Sequence, residues 1–198
     1  MRTLYLLLIA AVLTCGQALA ATDPTIWFPL SEGCSWVMDA KMVAPNGSIV
    51  PGIAHRVVEG QVERYGKTYH RVRTWMESTA AAKNVVTKLT RMDATGVYTI
   101  EESEKGATEE REVVFPLMAN QSWKRRGGAL KDVILGLENI TIGDTTYENC
   151  LHIRTTTPDA KFSENYWVAP NVGNVKSVMS FANGAKIILT LREFSPGK

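Results

Sequence analysis

Three histidines, His55, His70 and His152, are the side chains best placed by type for proton transfer or metal ligation near neutral pH. None stands at ligand spacing from another and the chain has no Cys-x-x-Cys, so the pattern supports no metal site. Gly33-Cys34-Ser35-Trp36-Val37 opens like a nucleophile elbow but lacks the second glycine and the strand-turn-helix setting that exposes the nucleophile. Gly127-Gly128 follows Lys124-Arg125-Arg126, yet no helix start comes after it, so it reads as a loop and not a phosphate cradle. Six carboxylates, Glu101, Glu102, Glu104, Glu109, Glu110 and Glu112, crowd one hairpin. Paired carboxylates can do acid–base work or bind calcium, but hydrolysis needs them at fixed separation in a cleft, and a hairpin tip is ordinarily solvated. Lys124, Arg125, Arg126 and Lys131 form the opposite cluster, suited to a polyanion, a lipid head group or an acidic partner, or simply a solvated loop. No catalytic residue and no cofactor is assigned.

A second group of residues bears on binding. Tyr166 and Trp167 are adjacent, so in a strand their rings point to opposite faces. One is expected in the core and the other outward, where Lys176 or the Lys124–Arg126 loop would complete a ligand contact. An aromatic face beside a cation suits lipids, sugars and peptide termini alike. The plainer reading is a hairpin: Pro170 presets φ at the first central turn position and Asn171 accepts positive φ at the second.

The elements that must position these residues read as strands. Lys186 to Phe194 places Ile187, Leu189 and Leu191 on one face by alternation, and Tyr147, Asn149, Leu151 and Ile153 oppose Glu148, Cys150, His152 and Arg154 in another strand. Asn183-Gly184, Gly143-Asp144, Pro45-Asn46-Gly47 and Asp93-Ala94-Thr95-Gly96 are turn signals. Only Thr79 to Lys83 tempts a helical assignment. The strongest internal signal is a repeat: Phe28-Pro29-Leu30-x-x-x-x-Ser35-Trp36 matches Phe115-Pro116-Leu117-x-x-x-x-Ser122-Trp123. Trp36 and Trp123 are read as core anchors. The expected fold is all-β: an antiparallel, strongly curved sheet, barrel or sandwich of about ten strands. It would be built from two related halves, approximately 26–113 and 114–198.

Residues 1–20 have the anatomy of a signal peptide: Arg2, the apolar run Leu4 to Leu13, and Ala18-Leu19-Ala20 before a cut at Ala21. A lipoprotein cut at Cys15 is the rival, disfavoured by Thr14 before the cysteine. Removal of those residues leaves 178 of 198, enough for a single β domain over 21–198, and Arg2 is the one charge lost, leaving 21 basic against 20 acidic residues. That balance gives no reason to expect nucleic acid, and no second apolar segment offers a transmembrane anchor. Cys34 and Cys150 remain for one disulfide, or as two buried thiols.

The two Pro-Leu…Trp motifs, with Tyr166-Trp167-Val168-Ala169-Pro170-Asn171-Val172-Gly173-Asn174-Val175-Lys176, resemble a family of small exported bacterial proteins of unknown function. The chain departs from that pattern at Asn171 and Asn120, where glycine is usual; asparagine tolerates the same positive φ. The resemblance implies an exported, periplasmic or secreted β-rich protein and carries over no catalytic residue. The function expected is non-enzymatic binding of a hydrophobic or amphipathic ligand or of another envelope protein. A structural or assembly accessory and a carboxylate-dependent hydrolase of envelope polymers are the alternatives. A large apolar concavity favours the first, a filled core with an exposed edge the second, and two converging carboxylates in a cleft the third.

Overall fold

Alternating apolar and polar residues, cut by turn residues at short intervals, leave the chain little choice but consecutive antiparallel pairing. A computed structural model describes residues 23–79, 84–101 and 108–198. The signal-peptide residues, Cys15, Glu102, Glu104 and most of the Thr79–Lys83 segment lie outside those described. Six strands run first: β1 (Ser35–Val43), β2 (Ile49–Arg64), β3 (Lys67–Ser78), β4 (Asn84–Asp93), β5 (Gly96–Glu101) and β6 (Glu110–Val114). Six more follow: β7 (Ser122–Arg125), β8 (Leu130–Ile142), β9 (Thr145–Thr156), β10 (Phe162–Ala169), β11 (Gly173–Phe181) and β12 (Lys186–Ser195). Among the described residues the sheet has twelve strands, against the expected ten or so, in the order β6-β5-β4-β3-β2-β1-β12-β11-β10-β9-β8-β7. Every strand thus pairs with its sequence neighbours except at one place, and the first and last strands pair with each other. The result is an up-and-down meander rolled into a nearly closed barrel.

The two runs of six meet twice. At one meeting β1 and β12 share a full antiparallel ladder from Ser35↔Ser195 to Val43↔Lys186. At the other, β6 and β7 face each other as the two edges of the sheet, with no ladder between them among the described residues.

Each copy of the Pro-Leu…Trp motif introduces the first strand of a run, and each makes the same pair of backbone hydrogen bonds. Gly33 N–H donates to Val58 O and Val58 N–H to Cys34 O, both at 2.9 Å; Asn120 N–H donates to Ile134 O at 2.8 Å and Ile134 N–H to Gln121 O at 2.9 Å. Gly33 and Asn120 both have positive φ, 85° and 63°, which is why asparagine serves where glycine is otherwise expected. Val58 and Ile134 are buried, and a register shift follows each, at Gly60 and Gly136.

The turns read from sequence close hairpins. Val172 N–H donates to Ala169 O across Pro170-Asn171, with Asn171 at φ 62°. β9 also departs from simple alternation: Asn149 (φ 52°) makes an irregularity against β8, so Asn149 is exposed while Cys150 is fully buried. Cys34 and Cys150 lie in the same apolar cluster as free thiols. Cys34 Sγ accepts from Gly197 N–H at 3.1 Å, and Cys150 Sγ–H donates to Tyr147 O at 3.4 Å. No described helix is long and apolar enough to cross a membrane.

Candidate ligand cavity

Because side chains alternate across a strand, directly paired residues share a face, and the rows they form can be followed around the barrel. Trp36, Arg56, Thr74 and Val86 form one such row across β1 to β4, pointing inward. Trp36 and Trp123 are buried, as expected of core anchors, and each indole reaches into the opposite run. Trp36 Nε1 donates to Val172 O at 2.6 Å, and Trp123 Nε1 donates to Glu112 O at 3.0 Å. Gly173, at φ 86°, leaves room for the first of these: a Cβ there would stand 3.4 Å from Trp36 Nε1 and from Pro29 Cδ.

The barrel is not filled. A cavity of about 520 Å³ runs inside it, walled by the apolar side chains of Trp36, Met38, Ala54, Val72, Val86 and Leu189. Its polar lining includes Arg56, Lys88, Thr99, Glu112, Glu164 and Asn174. One end passes under the N-terminal segment. Asn171 N–H donates to Ile26 O at 2.6 Å, and Trp27, Phe28 and Pro29 close a small extension of about 100 Å³ that Arg56 and Asn174 share with the main cavity. Arg56 lies over the Trp36 ring, 4.9 Å from its centroid. Among the described residues no carboxylate lies within salt-bridge distance of it, and its guanidinium makes no hydrogen bond. Burial draws its pKa down, opposed by the charge of Glu112. Asn174 Nδ2 donates to Ser177 Oγ at 3.1 Å, while its Oδ1 is buried with no partner.

Of the remaining inward charges, Arg125, Lys88, Asp132 and Glu112 are paired with one another. Arg125 Nε and Nη2 donate to Asp132 at 2.6 and 3.0 Å, and Arg125 Nη1 reaches across the open meeting to Glu112. Lys88 Nζ and Thr99 Oγ1 donate to the other oxygen of Glu112 at 3.1 and 3.0 Å. Burial would raise the Glu112 pKa, but Lys88 and Arg125 outweigh it and hold the carboxyl below its ordinary range. Burial would likewise lower Arg125, but Asp132 and Glu112 keep it above its ordinary value. Glu164 has no ion-pair partner among the described residues, and burial pushes its pKa up against the opposing pull of Ser177 and Arg125.

These facts redistribute the residues singled out in the sequence. The basic and acidic clusters, read there as separate solvated features, face one another across β6 and β7, with Arg126 N–H donating to the Glu110 carboxylate. Arg125 is an inward ion-pair residue, its side chain 11% exposed, and Lys124 and Arg126 alone of that trio stay exposed. Glu109 accepts from Arg91 Nε and Nη2, from Lys67 and from Tyr69. Tyr166 and Trp167 do diverge. Tyr166 packs on the inner cluster around Ile134, Leu151 and Ile153, where burial raises its pKa well above the phenol range. Trp167 lies on the outer face, in register with His152 on one side and Lys176 on the other. Its ring stacks on His152 at 4.5 Å with the Lys176 ammonium 5.0 Å from its centroid, and Nε1 donates to Glu138 at 2.7 Å. The aromatic-plus-cation arrangement is present, but the ring is engaged by its own neighbours. The residue that sequence reasoning missed is Arg56; in sequence it is one charge in an ordinary strand, and only alternation counted from Trp36 would have turned it inward.

No known family profile and no curated protein matches the chain. Solved structures do. An inferred exported protein with a YmcC-like fold from Bacteroides fragilis NCTC 9343 superposes with TM-score 0.55 over 86% of this chain and 99% of its own, at 12% identity. The fold is similar to the YmcC-like fold. An inferred lipoprotein from Parabacteroides distasonis ATCC 8503 matches with TM-score 0.50 over 88% of this chain and 100% of its own, at 13% identity. At these identities the YmcC-like likeness concerns architecture; the cavity chemistry must be argued from this chain's own residues.

Proposed function

We propose that this protein is an exported, non-enzymatic β-barrel that holds a hydrophobic or amphipathic ligand inside the barrel. The observation that carries the reading is the cavity of about 520 Å³, within the ordinary range for small-molecule sites, with an apolar wall and a few polar groups gathered inside it. A filled core would have favoured a purely structural role. A hydrolase reading finds little support: Glu112 is held by three donors, which removes it from proton transfer. Export is supported by the signal-peptide anatomy of residues 1–20 and by the agreeing descriptions of the two structural neighbours.

The test is uptake of a neutral apolar fluorophore, N-phenyl-1-naphthylamine. Wild-type protein should bind it at one saturable site with enhanced emission. Val86→Trp, which fills the cavity from β4, should abolish uptake, and Trp167→Ala on the outer face should retain it. Absence of saturable uptake by wild type, or equal uptake by folded Val86→Trp protein, would overturn the proposal.

A further inference from the structure

Two inner charged groups lack an ion-pair partner among the described residues: Glu164, whose pKa burial raises, and Arg56. Arg125 has Asp132 and Glu112, and Lys88 has Glu112, but the Arg56 guanidinium has only the face of Trp36 among the described residues. A cation removed from bulk water without an anion costs free energy, and folded proteins rarely leave one so unless something else completes it. Beside it, Asn174 carries a buried polar atom with no partner, which calls for the same explanation. The assignment of amide oxygen and nitrogen follows from the hydrogen-bond network. Turned over, the amide would accept from Ser177 Oγ and present Nδ2 to an anion. Arg56 and Asn174 share both the main cavity and its small closed extension, so the two groups converge where the cavity narrows. The apolar wall of Met38, Val72, Val86 and Leu189 belongs to the main cavity and not to the extension.

We infer that the ligand is a single acyl chain with a terminal carboxylate, its head group seated on Arg56 and Asn174 under the Trp27–Pro29 segment and its chain lying along the apolar wall. Charge complementarity selects the anion, since Arg56 is the inward cation left without a carboxylate partner. The small volume of the closed extension, about 100 Å³, favours a bare carboxylate over a bulkier phosphodiester head. Guanidinium and carboxylate match in planar, two-bond geometry, and the pair is strongest where water is excluded. The inference rests on the barrel-lumen reading proposed above, and the experiment separates the two.

Dodecanoate, 1-dodecanol and dodecyl phosphate would be titrated against fluorophore-loaded wild type, Arg56→Gln and Asn174→Ala. Wild type should bind dodecanoate at least tenfold more tightly than dodecanol. Arg56→Gln should erase that preference while leaving dodecanol affinity within about twofold. Asn174→Ala should reduce it part-way, which keeps the idea testable if Arg56→Gln fails to fold. Shortening the acid should weaken binding about fourfold for each methylene lost, the ratio that corresponds to ~0.8 kcal/mol per buried CH₂. Equal binding of acid and alcohol by wild type would overturn the head-group assignment and leave the lumen reading standing. Tighter binding of dodecyl phosphate than of dodecanoate would overturn the choice of carboxylate. Failure of all three to displace the fluorophore would overturn the inference, and failure of the fluorophore itself to bind would take the lumen reading with it.

Discussion

The two runs of six strands are joined by different physics at their two meetings. At the β1–β12 meeting, nine residues of β1 are in register with β12, and the ion pair there, Arg192 with Asp39, lies on the outside with both side chains nearly half exposed. At the β6–β7 meeting there is no ladder among the described residues; beside the more exposed pair of Arg126 with Glu110, the ion pair of Arg125 with Glu112 is turned inward with side chains 11% and 18% exposed. Backbone pairing makes the first meeting indifferent to any one side chain. The second depends on side chains: the Trp123 indole, which donates to the Glu112 backbone carbonyl, the Arg125 guanidinium, which pairs with the Glu112 carboxylate, and the Glu110 carboxylate, which accepts from Arg126 N–H. A barrel closed by a ladder at its termini and by side chains at mid-chain concentrates its vulnerability, and its route for local opening, at one seam beside the cavity.

The contrast can be broken most severely at the seam. Arg125→Met should cost about 3–5 kcal/mol, because it leaves the fully buried Asp132 and the half-buried Glu112 without their shared cation. Trp123→Ala should cost a similar ~3–5 kcal/mol as a large-to-small core truncation, and so should Trp36→Ala at the other motif. Urea unfolding measures all three. Unchanged midpoints would contradict the burial of these groups.

Acid provides a milder test. Glu109 is lowered from its ordinary value of 4.5 to about 2, chiefly by its hydrogen bonds from Arg91, and Glu112 is lowered in the same direction. Carboxylates with folded-state values below their unfolded ones stabilise fully above the unfolded value and lose that contribution as pH falls through the folded one. Stability should therefore drop between about pH 4.5 and 2, and Glu109→Gln should flatten that drop. A wild-type urea midpoint that is level across this window would count against both networks. At the β1–β12 meeting, by contrast, Arg192→Met should change stability by less than about 1 kcal/mol, as exposed pairs do. Amide hydrogen exchange sharpens the same comparison: β1 and β12 should be protected longest, and the facing edges of β6 and β7 least. Slow exchange along both β6 and β7 edges would show a ladder where the account places side chains.

What the sequence disclosed was local. Asn171 and Asn120 were legible as positive-φ positions because their chemistry tolerates that conformation, and Gly143-Asp144 and Asn183-Gly184 marked hairpins. The paired motif pointed to two buried tryptophans because its spacing was preserved. In β12 Ile187, Leu189 and Leu191 keep one face up to an irregularity at Arg192, while the alternation in β9 is interrupted at Asn149, since an irregularity of one residue reverses every face after it. Strand number was undercounted because four-residue β7 carries too few residues for a period to show. The seam and the cavity were out of reach for a different reason. Glu112 and Arg125 lie 13 residues apart, but their contact exists only because the whole barrel has rolled round to bring two edges together. Charged runs therefore looked solvated, and Arg56 looked ordinary.

The most direct test of the account is native mass spectrometry of the protein purified without detergent from the envelope fraction, before and after organic extraction. Wild type should carry a non-covalent adduct that extraction releases as a long-chain carboxylic acid, absent from folded Val86→Trp protein and depleted in Arg56→Gln. Wild type that carries no adduct and takes up none from added long-chain acids, or an adduct retained equally by Val86→Trp, would contradict it.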